Sequence, residues 1–244
     1  MFRVIRLIAA RAYMWVRSRI DFVQTLIWWG AKKRLSVAKE ELAPFSWNLV
    51  DTFYINLDSR LDRAAHMVKQ FNALGLSTYK RFAATKCAPG ILGCNISHRN
   101  LLASWQYNDY RLLMVCEDDA EFLIGLKELE ILLAEFMNDD RLDVLCLGFN
   151  VGHQLRISEH FCVSRDIQTT SAYVIKSGVE PYLCEKFNKA VGLARSGLPP
   201  KASALDVIWK ELQGLLVFVV PVARAVKQVE SYSDIENKVV NYGV

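Results

Sequence analysis

One change of period near the front of the chain narrows the possible folds most. "LVDTFYINL" (Leu49 to Leu57) is dense in β-branched and aromatic residues and reads as a strand. "DSRLDRAAHMVKQFNALG" then switches to helical spacing, with Leu61, Ala65, Val68 and Phe71 as its apolar stripe. Ser59 and Asp62 form an S-x-x-D capping signal, and Gly75 supplies a stop. "STYKRFAAT" returns to strand character. Strand, helix, strand in so short a span predicts the opening of an α/β domain.

The alternation continues to the end of the chain. Gly90 and Gly93 are expected to mark a turn, with Asn95 or Ser97 capping a helix that carries Leu101, Leu102 and Trp105. "RLLMVCEDD", "RLDVLCLGFN", "TTSAYVI" and "LLVFVVPVA" read as strands. Helices are expected over about Gly125–Met137 and Gly178–Ala190, with "SGLPPKAS" as a loop and "ALDVIWKELQG" as a short helix. The expectation is a mainly parallel sheet flanked by helices.

With 244 residues, 52% of them hydrophobic and 23% charged, the chain can bury a sizeable core. Its charge is uneven. Residues 1–45 hold nine Lys or Arg against three Asp or Glu, a net of +6, so the rest carries −2 of the total +4. This divides the chain into a basic helical arm, 1–45, and a body, 46–244. The longest uncharged run in the arm, Phe22 to Ala31, is too short to span a bilayer. Two readings of the arm remain: an interfacial element with Trp15, Trp28 and Trp29 at a membrane surface, or a helical hairpin packed on the body. The near-neutral body offers no broad electropositive face for nucleic acid. The six cysteines form no C-x-x-C pair, and Cys94, Cys116 and Cys146 sit where reduced core thiols sit. A reducing, cytoplasmic setting is expected, with contact to the inner face of a membrane if the arm is interfacial.

"LLMVCEDDAEF" (Leu112 to Phe122) raises the chemical question, because a buried strand runs straight into Glu117, Asp118 and Asp119. In open α/β sheets, ligands bind beyond the carboxyl ends of strands. Side chains at i and i+2 share a face, so Glu117 and Asp119 should converge while Asp118 points away. Paired carboxylates call for a cation, and oxygen ligands suit Mn2+ or Mg2+. A solvated acidic turn is the bland alternative. Arg60 and Arg63 follow the first strand on the same rim, suited to phosphate or to a solvated helix face. Cys94 and His98 in "GCNISH" invite a thiol nucleophile, but the sequence shows no group to orient the histidine.

"FYINLDSRLDR", "APGILGCNISHRNLL" and "VCEDDAEF", in this order, resemble glycosyltransferase family 25. "TTSAYVI", "ALDVIW" and "PVARAVKQVESYSDIE" extend the likeness over about residues 50 to 236. The resemblance implies a GT-A fold, a UDP-sugar donor, a Mn2+-type metal, and transfer of a hexose, galactose in known members, with inversion. The implied acceptor is a glycan or lipid-linked hydroxyl, as in lipopolysaccharide-type synthesis. By the same resemblance Asp119 binds the metal, Glu117 meets the metal through water or the ribose, and Asp118 faces the sugar. Asn56, Arg60 and Arg63 belong to the donor-binding loop, and His98 matches a family histidine. Gln228, Ser233 or Asp234 complete the shell around metal and pyrophosphate. Inversion needs a base for the acceptor hydroxyl, and Asp206 is the candidate, with a helix N-cap as its other reading. A catalytically inactive binding module and a metal-dependent phosphohydrolase are the competing classes. The second would call for more histidines and acids than this chain groups together.

Overall fold

The computed structural model describes residues 23–30, 44–229, 231–233 and 238–240. An eight-stranded sheet runs in the order β2 (Lys80–Ala83), β1 (Val50–Asn56), β3 (Leu112–Glu117), β10 (Ala172–Lys176), β5 (Val144–Cys146), β11 (Phe218–Pro221), β8 (Phe161–Val163), β7 (Leu155–Arg156). Six strands run one way, while β10 and β8 run against them, and β6 (Asn150–Val151) and β9 (Ile167–Gln168) pair with each other apart from this sheet. The fold is therefore α/β and Rossmann-like, as expected, with two strands inserted in reverse.

Helices cover both faces. Phe71 and Leu74 of α2 (Leu61–Leu74) and Leu129 and Phe136 of α4 (Leu126–Asn138) pack on one face. Leu101 of α3 (Gly90–Ser104), Leu183 and Phe187 of α5 (Glu180–Arg195) and Leu205 of α7 (Leu205–Ile208) pack on the other. β3 shows why its sequence is uninterrupted: Leu112, Met114 and Cys116 serve one core, and Leu113 and Val115 the other. A central strand buried on both faces cannot alternate with polar residues.

Local expectations are corrected in four places. The stripe of α2 is Met67, Phe71 and Leu74, whereas Leu61 is 77% exposed and Val68 also faces outward. Ser59 does not cap α2; its N-cap is Arg60, and Asp62 is held by the Arg60 guanidinium instead. Gly90 and Gly93 lie inside α3, which starts after Pro89, so Asn95 and Ser97 are buried helix residues rather than caps. The loop "SGLPPKAS" contains a short helix, α6 (Pro200–Ser203). Gly75 does close α2, in the left-handed conformation at φ 80°.

Residues 23–30 are helical (α1) and rest on the body. Trp29 joins the core under Arg141, whose guanidinium lies 4.7 Å from the ring centroid. Trp28 Nε1 donates to the carbonyl of Gly214 at 2.9 Å. These two tryptophans therefore fit the packed reading of the arm rather than a bilayer boundary, and Trp15 lies outside the described residues. No helix among the described residues is long and apolar enough to cross a membrane. Among the described residues all six cysteines are free thiols.

Candidate active site at the carboxyl end of β3

β3 ends at Glu117, and a tight turn through Asp118 and Asp119 leads into β4 (Ala120–Phe122). β4 pairs antiparallel with β12 (Val226–Gln228), with Gln228 opposite Ala120. That register carries a residue from far along the chain to the acids. Gln228 Nε2 lies 3.4 Å from Glu117 Oε2 and 3.3 Å from Asp119 Oδ1. Glu117 and Asp119 thus converge on one amide, brought together by the turn rather than by strand alternation.

Asp118 turns the other way. Its Oδ2 accepts from Asn56 Nδ2 at 2.8 Å, and its Oδ1 from Arg63 Nη1 at 2.7 Å. Arg63 also lies 3.3 Å from Asp119 Oδ2. Asn56 ends β1 and Arg63 sits in the first turn of α2, so the first crossover delivers both. Arg60, placed beside them in sequence, instead directs its guanidinium to Asp62, outside this contact. Asp234 lies outside the described residues, as does the Ser233 side chain.

His98 is 1% exposed, on α3. Its Nδ1 lies 3.1 Å from the Tyr173 hydroxyl and its Nε2 3.4 Å from Glu117 Oε1. The second is a close approach only, because Nε2 makes no hydrogen bond of good geometry. Thr170 donates to the same Oε1 at 2.7 Å.

Asp206 occupies the first turn of α7, whose N-cap is Ala204, so Asp206 is not the cap. Its Oδ2 accepts from the Thr169 N–H at 3.2 Å. Thr169 has φ 94°, a left-handed conformation that a β-branched residue adopts only under constraint. Glu117 and Asp206 are close enough for each charge to act on the other.

Electrostatics divide the acids by task. Burial, with the neighbouring Glu117 charge, pushes the Asp119 carboxyl up to about 7. Burial also raises Asp118, against the pull of Arg63 and Asn56. In Glu117 burial acts upward too, but His98, Thr170 and Arg63 together hold the group below its ordinary value. Of Glu117 and Asp119, Glu117 is therefore the ionised member and Asp119 the one that keeps a proton. Asp206 is raised by burial, only partly offset by hydrogen bonds from Gln168 and Thr169. Burial lifts the Cys94 thiol well above its usual value, which removes it as a free nucleophile.

Three participants were not singled out from sequence. Arg81 of β2 donates to Asn56 Oδ1 at 2.9 Å and braces the residue that holds Asp118. Thr170 and Tyr173 reach Glu117 and His98 because β10 lies antiparallel beside β3, Ala172 opposite Cys116. Their one signal was the quoted block "TTSAYVI", which indicated a strand but not its neighbour.

The buried Asp119 and the partly exposed Glu117, which share only a long amide contact, are a donor set that fits a hard divalent cation.

No family model matches this chain, and no curated protein matches it. Among solved structures, it is similar to a Bacillus anthracis protein described as a glucose-1-phosphate thymidylyltransferase, solved with a sucrose. The identity is 14%, over 72% of this chain and 69% of that one, with a TM-score of 0.32. It is also similar to mouse xyloside xylosyltransferase 1 in its apo form, at 7% identity over 71% of each chain, with a TM-score of 0.34. Likenesses of that strength carry no assignment of family or activity.

Proposed function

We propose that this chain is an inverting, metal-dependent glycosyltransferase of the GT-A type, akin to glycosyltransferase family 25. It would move a hexose, galactose by that kinship, from a UDP-sugar to a glycan or lipid-linked hydroxyl. One observation carries the reading. Blocks far apart in sequence meet at one acidic triplet: Asn56 and Arg63 on Asp118, His98 on Glu117, and Gln228 on Glu117 and Asp119.

Asp119, with Glu117 beside it, would hold Mn2+ or Mg2+, which would neutralise charge on the departing diphosphate. The chain's own residues do the rest. Arg63 adds a cation at the N-terminus of α2, where backbone N–H groups also favour a phosphate. Asp118, oriented by Asn56 and Arg63, presents its carboxylate toward the sugar. Asp206, its carboxyl raised by burial, takes the proton from the acceptor hydroxyl as the glycosidic bond breaks. A base kept partly dehydrated is stronger than a free carboxylate, which suits an alcohol proton.

The test is UDP release across a panel of UDP-sugars, with and without Mn2+ and with candidate acceptors, beside UDP binding by calorimetry. Mn2+-dependent UDP binding that disappears in Asp119→Ala, with release from one sugar, supports the reading. Equal UDP binding in that variant overturns the metal role. Binding without release from any sugar would favour the inactive binding module.

A further inference from the structure

Cys94 and His98 stand one turn apart on α3 and so share a face. That face looks onto the tip of β3. Cys94 Sγ, a His98 ring nitrogen and a Glu117 carboxylate oxygen all lie within 4.8 Å of one another. The transferase reading uses the side of Glu117 that meets Gln228 and Asp119; it takes His98 only as a neighbour of Glu117 and gives Cys94 no task.

His98 is the informative member. Its Nε2 is buried without a hydrogen-bond partner, yet it lies 3.4 Å from Glu117 Oε1. Its Nδ1 is engaged by the Tyr173 hydroxyl at 3.1 Å, and Tyr173 is itself fully buried. Without a metal, Nε2 faces Oε1 across poor hydrogen-bond geometry. A cation that takes the place of a proton on Nε2 would meet its lone pair and the carboxylate oxygen together, with Nδ1 left to donate to Tyr173. Two nitrogen or oxygen ligands of a tetrahedral zinc, each about 2.0–2.1 Å from the metal, stand about 3.3 Å apart. The Nε2–Oε1 pair already has that spacing. Tyr173 supplies the outer hydrogen bond that fixes the tautomer of a metal-binding histidine.

The donor chemistry selects the ion. A thiolate and a carboxylate balance a divalent cation, so a loaded site would be neutral in surroundings that penalise net charge. One sulfur, one nitrogen and one oxygen suit a borderline-soft ion, unlike the all-oxygen set at Asp119. We infer that Cys94, His98 and Glu117 form a zinc site, distinct from the cation position at Asp119 and sharing only the Glu117 carboxylate with it. Three protein ligands leave a fourth position for water. The site does not depend on the transferase reading, since zinc would bind whether or not the chain uses a UDP-sugar.

The experiment is metal analysis of the purified full chain, followed by replacement of the metal with Co2+. About one zinc per chain is expected, with a thiolate-to-cobalt charge-transfer band in the near ultraviolet. The band should vanish in Cys94→Ser and His98→Gln and persist in Asp119→Asn. Tyr173→Phe should weaken zinc binding by about 10–100-fold while leaving the band in place at saturation. Should the Cys94 and His98 variants misfold, mass-mapped alkylation of wild-type chain decides, since zinc should protect Cys94. No band in wild type, an unchanged band in Cys94→Ser, or alkylation of Cys94 indifferent to zinc would overturn the site in favour of an imidazolium–carboxylate pair. A chain that binds zinc but no UDP keeps this site and loses the transferase reading; the reverse result does the opposite.

Discussion

Arg63 and Asp118, 55 residues apart in the chain, meet at 2.7 Å with both side chains largely withdrawn from solvent. Removing one partner of such a pair strands the other charge. Arg63→Ala should cost about 3 kcal/mol at pH 8. The cost should be smaller at pH 5 than at pH 8, because lower pH favours the neutral form of Asp118, which burial already favours and which needs no partner. Denaturant midpoints at the two pH values check this. An equal loss at both would mean that Arg63 acts by packing alone.

Asp119 predicts how the metal-free protein responds to pH. Folded, it keeps its proton up to about 7, against an ordinary 3.8. Between those values the native chain binds more protons than the unfolded one, so stability falls as pH rises through that window. The slope is at most about 1.4 kcal/mol per pH unit. Asp118 and Asp206 are raised as well and act in the same direction. Glu117 is lowered, so its contribution is lost only as pH falls below the ordinary carboxylate range. With chelator present, Asp119→Asn should be more stable than wild type at pH 8 and should flatten the profile. Mn2+ should raise the wild-type Tm at pH 8 and leave that of Asp119→Asn nearly unchanged. Thermal scans from pH 5 to 8 measure both effects.

Asp206→Asn keeps the shape at Thr169 and removes the base. The expected outcome is a fall in kcat of about 10²–10⁴-fold with the donor KM little changed. Steady-state kinetics on the best UDP-sugar separate this from a structural role, which would move both constants. Activity within a few-fold of wild type would return Asp206 to being a buried anchor for the strained Thr169 backbone.

The architecture was legible where single segments declare themselves. β3, β5, β10 and β11 are largely apolar runs, β1 is dense in aromatic and β-branched residues, and the acids at the tip of β3 follow from the run ending in charge. Legibility failed where geometry comes from partners. Leu61 and Val68 look as apolar as Met67 and Leu74, and only the angle at which α2 meets the sheet decides which pair is buried. Thr170 and Tyr173 enter the site because β10 is inserted in reverse between β3 and β5, a topological fact that no local pattern encodes. Gln228 was proposed from the resemblance, and the β4–β12 register supplies the physical reason for its place.

Gly93 lets α3 pack closely against the loop that follows β2. A Cβ there would sit on the Thr85 carbonyl oxygen and press on the Cys87 backbone nitrogen. Ser97 ties the same two segments, donating to Gly93 O at 2.6 Å and accepting from Thr85 N–H at 2.8 Å. Gly93→Ala must push the helix outward, at a cost of about 1–3 kcal/mol, and it moves Cys94 and His98 with it. Calorimetry should show the lower Tm. A Tm equal to wild type would mean that the Thr85 loop yields more easily than its hydrogen bonds suggest.

Trp29 separates the two accounts of the arm. Its ring is 8% exposed, packed in the core and covered by Arg141. If the arm is an integral part of the body, Trp29→Ala should cost about 3 kcal/mol in denaturant unfolding, with no lipid present. If the arm is an interfacial element that merely rests there, the substitution should leave stability nearly unchanged and instead weaken binding to anionic vesicles. Deleting residues 1–43 sharpens the contrast. The packed arm predicts a destabilised body with unaltered vesicle partitioning, and the interfacial arm predicts the reverse. The buried ring and the Trp28 hydrogen bond to Gly214 favour the first outcome.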